Sequence, residues 1–319
     1  MTEHIKNVSI VGAGLIGTQV ALLTAGCGYQ VTMIDRVQEV LDKCKESVHR
    51  RAEQYYTDFA NNHAQGEYPN SPVIALIRET KAKDGNYDKF VQRIHYTTSM
   101  ADGLKNADLA IESVYERLNV KQDIMEQMET YAPKHCVLAS NTSSLKPSDI
   151  CAKLKNKGNF GGLHFYNPIE QKRFLEVGAI ETTSPETLKI LLEYAKQAGK
   201  TYAICGNAHG FLSNRMMIPV RSEALYMYDN GLAKPEDIDL GIKIGYEIKY
   251  GPFEYMDKIG LDTVKDILDG WYNLYKDEVF IRPPSKKLAE LVAAGKLGEK
   301  TGEGFYKWKD GKIVTEKRN

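Results

Sequence analysis

Residues 7–35 constrain the fold of this 319-residue chain more than any other stretch. NVSIV is an apolar run of the length of one buried strand; GAGLIG follows at once, and TQVALLTAG then carries the pattern of an apolar helix. Strand, glycine turn and helix in that order open a dinucleotide-binding unit. Gly12 permits the tight turn, Gly14 lets backbone approach a pyrophosphate, and Gly17 lets the helix pack on the strand. The helix start at Leu15 and Ile16 points its amides at the phosphates. A second strand, QVTMI, ends at Asp35, eighteen residues past Gly17, where a carboxylate accepts hydrogen bonds from the adenosine ribose. The expected cofactor is NAD, because Asp35 repels a 2′-phosphate; Arg36 beside it softens that preference without reversing it. A glycine-rich packing turn is the plainer alternative, and it does not require the second strand and its acid.

The alternation continues. Residues 37–65 read as a long polar helix, closed by Gly66, Pro69 and Pro72. It is either a solvated strut or, through His49, Arg50 and Arg51, a ligand-contacting face. A short helix over 73–82, a turn over 84–86 and a strand over 93–97 follow. Strands over 108–113 and 136–139 then flank a helix over 119–131. Ligands of a doubly wound sheet sit outside the carboxyl ends of its strands. Glu116 and Lys121 are therefore placed to touch ribose, nicotinamide or substrate, unless they are solvated charges at a helix start. In SNTSSL, ahead of Pro147, Ser143 and Ser144, with Ser148 beyond, read first as helix caps and second as donors to a substrate carbonyl.

GGLHFYNPIEQKRFLEV, residues 161–177, reads as two short strands, 162–166 and 173–177, with Asn167-Pro168 stopping the first. If they pair as a hairpin, His164 and Glu176 fall at comparable distances from the connection and meet side by side. Such a pair makes a general base: the carboxylate fixes one ring nitrogen, aims the other at a substrate hydroxyl and stabilises the imidazolium. The competing reading is a packed or surface histidine.

A helix over 185–198 and a strand over 201–204 end the alternation. The fold class expected is α/β, a Rossmann-like doubly wound parallel sheet over 1–205 joined to an all-helical domain over 206–319. The first helix of that domain, HGFLSNRMMIPVRSEALYMYDNG, puts Leu212, Met216, Pro219, Val220 and Met227 on one face, with Asn214 near its start. Apolar faces this broad in a small domain point to a homodimer. The tail, GEKTGEGFYKW, is expected to dock on the body.

Lys plus Arg equals Asp plus Glu at 42 each, which leaves no basic excess for nucleic acid or an anionic membrane. Cys27, Cys44, Cys136, Cys151 and Cys205 are odd in number and scattered, so neither a disulfide framework nor a metal site is indicated. No apolar run has membrane length. A strand pattern from Ile5 leaves no room for a leader, so the expected compartment is the cytoplasm, with the mitochondrial matrix the alternative if a presequence has been removed.

GAGLIG, SNTSSL, GLHFYNP with Glu176, GFLSNRMMIP, GPFEYMDKIGLD and KTGEGFYKW, in this order, resemble the L-3-hydroxyacyl-CoA dehydrogenase family over almost the whole chain. The resemblance implies an NAD domain joined to a helical dimerising domain, oxidising the 3-hydroxyl of an acyl-CoA as in fatty-acid β-oxidation. On matching positions it implies His164 as the base and Glu176 as its orienting partner. It implies Ser143 and Asn214 as donors to the reacting oxygen or to His164, and Glu116 and Lys121 near the nicotinamide end. That reading of Ser143 displaces the cap. Two features depart from the family pattern. Where lysines late in the long helix are usual near the CoA phosphates, AEQYYTDF stands, with Asp58, and His49, Arg50 and Arg51 lie earlier. The loop 65–89 is longer and GYEIKYGPF bulkier than usual, either of which reshapes the acyl pocket. The alternatives are an NAD-dependent dehydrogenase of a small free hydroxy acid, of carnitine or sugar-acid type, and a non-catalytic NAD-binding protein.

Overall fold

A computed structural model describes residues 5–61, 91–170, 172–277 and 281–314, without the side chains of 55–61. The expected helix at 73–82, the turn at 84–86, the loop at 65–89 and the Asp58 side chain lie outside the described residues. The chain forms two compact units, Met1–Leu212 and Ser213–Asn319.

In the first unit one sheet contains β1 (Asn7–Val11), β2 (Gln30–Ile34), β3 (Ile94–Thr97), β4 (Leu109–Glu112), β5 (Val137–Ser140), β6 (Phe160–Phe165), β7 (Phe174–Gly178) and β8 (Thr201–Cys205). Their order is β3-β2-β1-β4-β5-β6-β7-β8. Neighbours are parallel except β6 and β7. From β1 the chain winds outward through β2 and β3, then restarts at β4 and winds the other way. A crevice therefore opens beyond the carboxyl ends of β1 and β4.

Helices cover both faces: α1 (Leu15–Gly26), α2 (Gln38–Asn61), α3 (Met100–Leu104), α4 (Leu118–Tyr131), α5 (Pro147–Ile150) and α6 (Pro185–Gln197). Two apolar clusters result, one around Ile10, Leu22, Val31 and Leu163, the other around Val11, Ile34, Met125 and Leu138. Central strands covered on both sides must be apolar throughout. β4 and β5 are fully buried, yet each ends in a polar residue, Glu112 and Ser140. On α1, every residue from Gly17 to Gly26 is buried. Leu22 and Leu23 alone contribute roughly 2 kcal/mol each, which fixes the helix and so the position of its amino end.

The second unit contains α7 (Ser213–Asp229), α8 (Pro235–Gly245), α9 (Pro252–Ile259), α10 (Leu261–Tyr275) and α11 (Lys286–Ala293). They pack around Leu225, Phe253, Met256, Leu261 and Leu288, with Phe305 and Tyr306 of the tail. A two-stranded ribbon, β9 (Trp308–Lys309) and β10 (Lys312–Ile313), follows the helices. The tail docks through Asp257, whose buried carboxylate accepts the amides of Phe305 and Tyr306 at 2.9 Å and the Trp308 indole at 2.8 Å. Asp239 likewise takes the first amides of α9, from Phe253 and Glu254.

α7 begins at Ser213, four residues later than its first expected position, because Gly210 and Phe211 have φ of 70° and 53°. Residues 206–212 pack with the first unit, so the compact units divide seven residues beyond the composition change. The stripe expected on one face of α7 is largely open to solvent, Met216 at 69 %. Its inner face is Ile218, Arg221, Ser222, Ala224 and Leu225.

Candidate active site

The glycine turn between β1 and α1 is shaped as its residue types require. Gly12 has φ 107°, and a Cβ there would meet the Ser113 carbonyl at 2.5 Å; at Gly17 it would meet the Gly12 carbonyl at 1.9 Å. A Cβ on Gly14 would meet nothing within 4 Å, and Gly14 caps α1 with no side-chain hydrogen bond. The amides of the first turn, from Leu15 through Gly17, are thus left for an outside acceptor. Leu15 is 58 % exposed beside them. Asp35 closes the arrangement: its carboxylate accepts the Ala13 amide at 3.0 Å and the Val37 amide at 3.1 Å, which fixes it at the end of β2 beside the turn. An open cradle, free amides and a held acid fit a dinucleotide.

Beyond β4 lies a buried charge network. Lys121 and Glu112 are both fully buried and 2.7 Å apart. Lys121 also meets Glu116 at 3.2 Å and the Val114 carbonyl at 3.4 Å, so its three protons all face protein oxygens. Glu112 takes the Ser140 hydroxyl at 2.6 Å and the Val114 amide at 2.7 Å. Burial works against the lysine charge, but the two carboxylates prevail and hold its pKa above the ordinary value. Glu116 accepts the Thr142 hydroxyl and the amides of Ser143 and Ser144, each amide at 2.9 Å. Burial would raise its pKa; Lys121, Thr142 and the two amides together keep it below the usual glutamate range. Lys121 therefore stands behind Glu116, and Glu116 grips the backbone of the Ser143 loop. The serine is placed by its peptide, and its hydroxyl lies 3.4 Å from that of Ser144.

The hairpin brings the dyad together. β6 and β7 pair with His164 opposite Glu176 and Gly162 opposite Gly178. His164 Nδ1 lies 2.6 Å from Glu176 Oε2. The glutamate is fully buried, and the histidine side chain keeps 7 % of its surface. Glu176 Oε1 accepts the Leu212 amide at 3.2 Å. Among the described residues no hydrogen bond is made to His164 Nε2. The paired glycines make room for Phe211, whose ring a Cβ on Gly178 would meet at 2.5 Å; Phe211 in turn stacks on His164 with ring centres 5.6 Å apart.

The hairpin connection is tied to α1. Buried Gln19 donates to Asn167 at 2.9 Å and accepts the Ile169 amide at 2.8 Å. Lys200 donates to the carbonyls of Ile169 and Lys172 at 2.6 and 2.7 Å; burial lowers its pKa to about 8, against the opposing influence of Cys27 and Glu170. Arg51 reaches the same connection, its Nη1 3.4 Å from Glu170, while its Nε makes no hydrogen bond among the described residues. Asn214 stands in the first turn of α7, in the second unit and two residues past Leu212.

The residues that hold these groups went unnoticed in the sequence: Gln19, Ser140, Thr142, Lys200 and Phe211. Gln19 and Thr142 left a signal, one a polar residue on an otherwise apolar helix, the other a hydroxyl within the SNTSS cluster. Phe211 and Lys200 left none. Among the described residues no group of His, Cys, Asp and Glu could hold a metal ion, and no helix is long and apolar enough to cross a membrane.

Comparison with known proteins adds to this geometry. Residues 7–208 match the model of the 3-hydroxyacyl-CoA dehydrogenase NAD-binding domain, and residues 210–308 that of the 3-hydroxyacyl-CoA dehydrogenase C-terminal domain. The chain is 38 % identical to a probable 3-hydroxyacyl-CoA dehydrogenase of Caenorhabditis elegans, over 96 % of this chain and 94 % of that one. It is 34 % identical to the mitochondrial hydroxyacyl-coenzyme A dehydrogenase of Sus scrofa, over 96 % and 92 %. Among solved structures, the (S)-3-hydroxybutyryl-CoA dehydrogenase of Ralstonia eutropha superposes with a TM-score of 0.78 at 31 % identity, covering 96 % of this chain and all of that one.

Proposed function

Because the chain belongs to the 3-hydroxyacyl-CoA dehydrogenase family, we propose that it oxidises the hydroxyl of an L-3-hydroxyacyl-CoA to the ketone, with His164 as general base and Glu176 as its orienting partner. The observation that supports this most directly is the buried 2.6 Å contact between His164 Nδ1 and Glu176, which leaves Nε2 unengaged among the described residues. With Nδ1–H donated to the carboxylate, the neutral ring carries its lone pair on Nε2. That nitrogen takes the hydroxyl proton, and Glu176 stabilises the imidazolium that results. Gly12, Gly14, Leu15, Ile16, Gly17 and Asp35 would hold NAD, whose nicotinamide ring would supply the acceptor for the C3 hydride. Ser143 and Asn214 donate hydrogen bonds to the reacting oxygen as its charge grows. Glu116, with Lys121 behind it, keeps the Ser143 loop in place at the nicotinamide end. In the reverse direction protonated His164 returns the proton.

Arg51, with His49 and Arg50, takes the CoA phosphates in place of the usual lysines. Two copies join as a homodimer through the exposed apolar face of α7, where Met216 and Val220 stand. The working compartment is the cytoplasm, or the mitochondrial matrix if a presequence is removed.

The test is NADH oxidation with acetoacetyl-CoA set against NAD reduction with free hydroxy acids. Turnover of the thioester is the expected result; turnover of free acids alone refutes CoA as the carrier.

A further inference from the structure

The inner face of α7 carries one residue unsuited to a core. Ile218, Ala224 and Leu225 are apolar and Ser222 is small, but Arg221 is a cation with only 7 % of its surface exposed. Its guanidinium lies 5.4 Å from the centre of the Tyr255 ring. Among the described residues it has no carboxylate partner, and its Nε, closed off from solvent, makes no hydrogen bond. The acids beside Arg221 and Tyr255 in the sequence are engaged elsewhere. Glu254, next to Tyr255 in the chain, pairs with Lys243 at 2.6 Å; Glu223 on the same helix pairs with Arg282; Asp257 holds the tail. An aromatic face stabilises a cation only in part, and a buried guanidinium with idle donors is costly to keep. Arginine stays protonated even where burial lowers its pKa, as it does here. The charge is present and lacks an anion.

Position indicates which anion. Arg221 is seven residues from Asn214, close to two full turns, so the two share a face of α7 about 10 Å apart along its axis. Resting on the reading of Asn214 as a donor to the reacting oxygen, we infer that Arg221 binds a carboxylate at the far end of the acyl group. The preferred substrate class is then a 3-hydroxy dicarboxylic acyl thioester. A guanidinium takes a carboxylate in a two-point fork, which a lysine or a hydroxyl cannot reproduce. Tyr250 extends the aromatic surface beside it, stacked with Tyr255 at 6.1 Å between centres, and this gives the bulky GYEIKYGPF segment a use.

The experiment compares kcat/KM for 3-oxoadipoyl-CoA, which ends in a carboxylate, with that for 3-oxohexanoyl-CoA, equally long and ending in a methyl. Wild type, Arg221→Leu and Arg221→Lys are measured. Wild type is expected to favour the dicarboxylic thioester. Arg221→Leu should lower that ratio about 10- to 100-fold, and Arg221→Lys should retain part of it. A wild-type enzyme that favours 3-oxohexanoyl-CoA overturns the inference while leaving the dehydrogenase reading intact; turnover of neither thioester overturns the reading beneath it. An unchanged ratio in Arg221→Leu together with a loss of molecular mass by light scattering overturns it in favour of a carboxylate from a second copy of the chain. If the leucine variant does not fold, the wild-type ratio and the lysine variant decide.

Discussion

Glu176 in the first unit and Asp257 in the second are both fully buried carboxylates, and they differ in what donates to them. Among the described residues Asp257 accepts only from groups that never change protonation, two amides and an indole. Glu176 accepts from the Leu212 amide, which is such a group, and from the His164 ring, which can give up its proton. A buried carboxylate with fixed donors is a tether. Given a titratable donor whose second nitrogen is unengaged, the same burial serves proton transfer. Burial marks neither as catalytic; only the chemistry of the donor separates them, and the role proposed for Glu176 rests on it.

The largest expected effect breaks the comparison if it is absent. His164→Gln should lower kcat about 10²- to 10⁴-fold, the range of a lost general base, with the thermal midpoint little changed. If turnover survives, Glu176 is a tether like Asp257. Next, Lys121→Met leaves Glu112 buried without its counter-charge and should cost about 3–5 kcal/mol in urea denaturation. Loss of turnover without loss of stability would instead move Lys121 from support into the reacting site. Smaller again, Asp257→Ala leaves three donors unmet, the Trp308 indole among them buried, and should cost about 3 kcal/mol, read from the fluorescence of Trp308, with the Kd for NADH unchanged. A shift in that Kd would show that Asp257 does more than hold the tail.

Legibility in the sequence followed the range of the interaction. β1 and β2 matched to the residue because a five-residue apolar run, a glycine turn and an acid are local signals. The dyad was legible because a hairpin makes sequence distance into spatial distance, so His164 and Glu176 could be paired by counting from Asn167-Pro168. Glu116 was found as a charge near a strand end, but its grip on the amides of Ser143 and Ser144 crosses from one strand end to the next, and no local pattern encodes that. Lys121 read as a ligand-touching charge or, failing that, a solvated one at a helix start, because nothing in its neighbours announces Glu112 across the core. Phe211 was hidden for a further reason: its positive φ stops the helix that its sequence seemed to begin.

Alkaline pH separates the two units by the smallest effect. All five cysteines lie in the first unit. Burial raises the thiols of Cys27 and Cys136 from 9.0 to about 12. A group whose pKa is raised on folding stabilises fully below its unfolded pKa and loses that contribution as pH rises toward the folded one. Each of these thiols therefore costs about 1.4 kcal/mol per pH unit above 9. Lys200 has the opposite sign: its pKa falls to about 8 on folding, so the penalty for burying its charge is relieved as pH climbs from 8 toward its unfolded value. Between pH 8 and 9 the two signs largely cancel, because Cys205, also raised to about 12, adds a third thiol that begins to ionise in the unfolded chain; from pH 9 to 10 the three thiols outweigh Lys200, and the first unit should lose roughly 2 kcal/mol. The second unit has no cysteine, and its partly buried Tyr228 and Tyr306, whose pKa values are also raised, begin to count only above pH 10. Both tryptophans, Trp271 and Trp308, are in the second unit, so their fluorescence follows that unit while far-UV circular dichroism follows both. Urea midpoints followed by dichroism should be level between pH 8 and 9 and fall by pH 10, while those followed by fluorescence stay level throughout. A fall in both signals by pH 10 would mean that the two units unfold as one, and Glu176 and Asp257 would then belong to a single cooperative core.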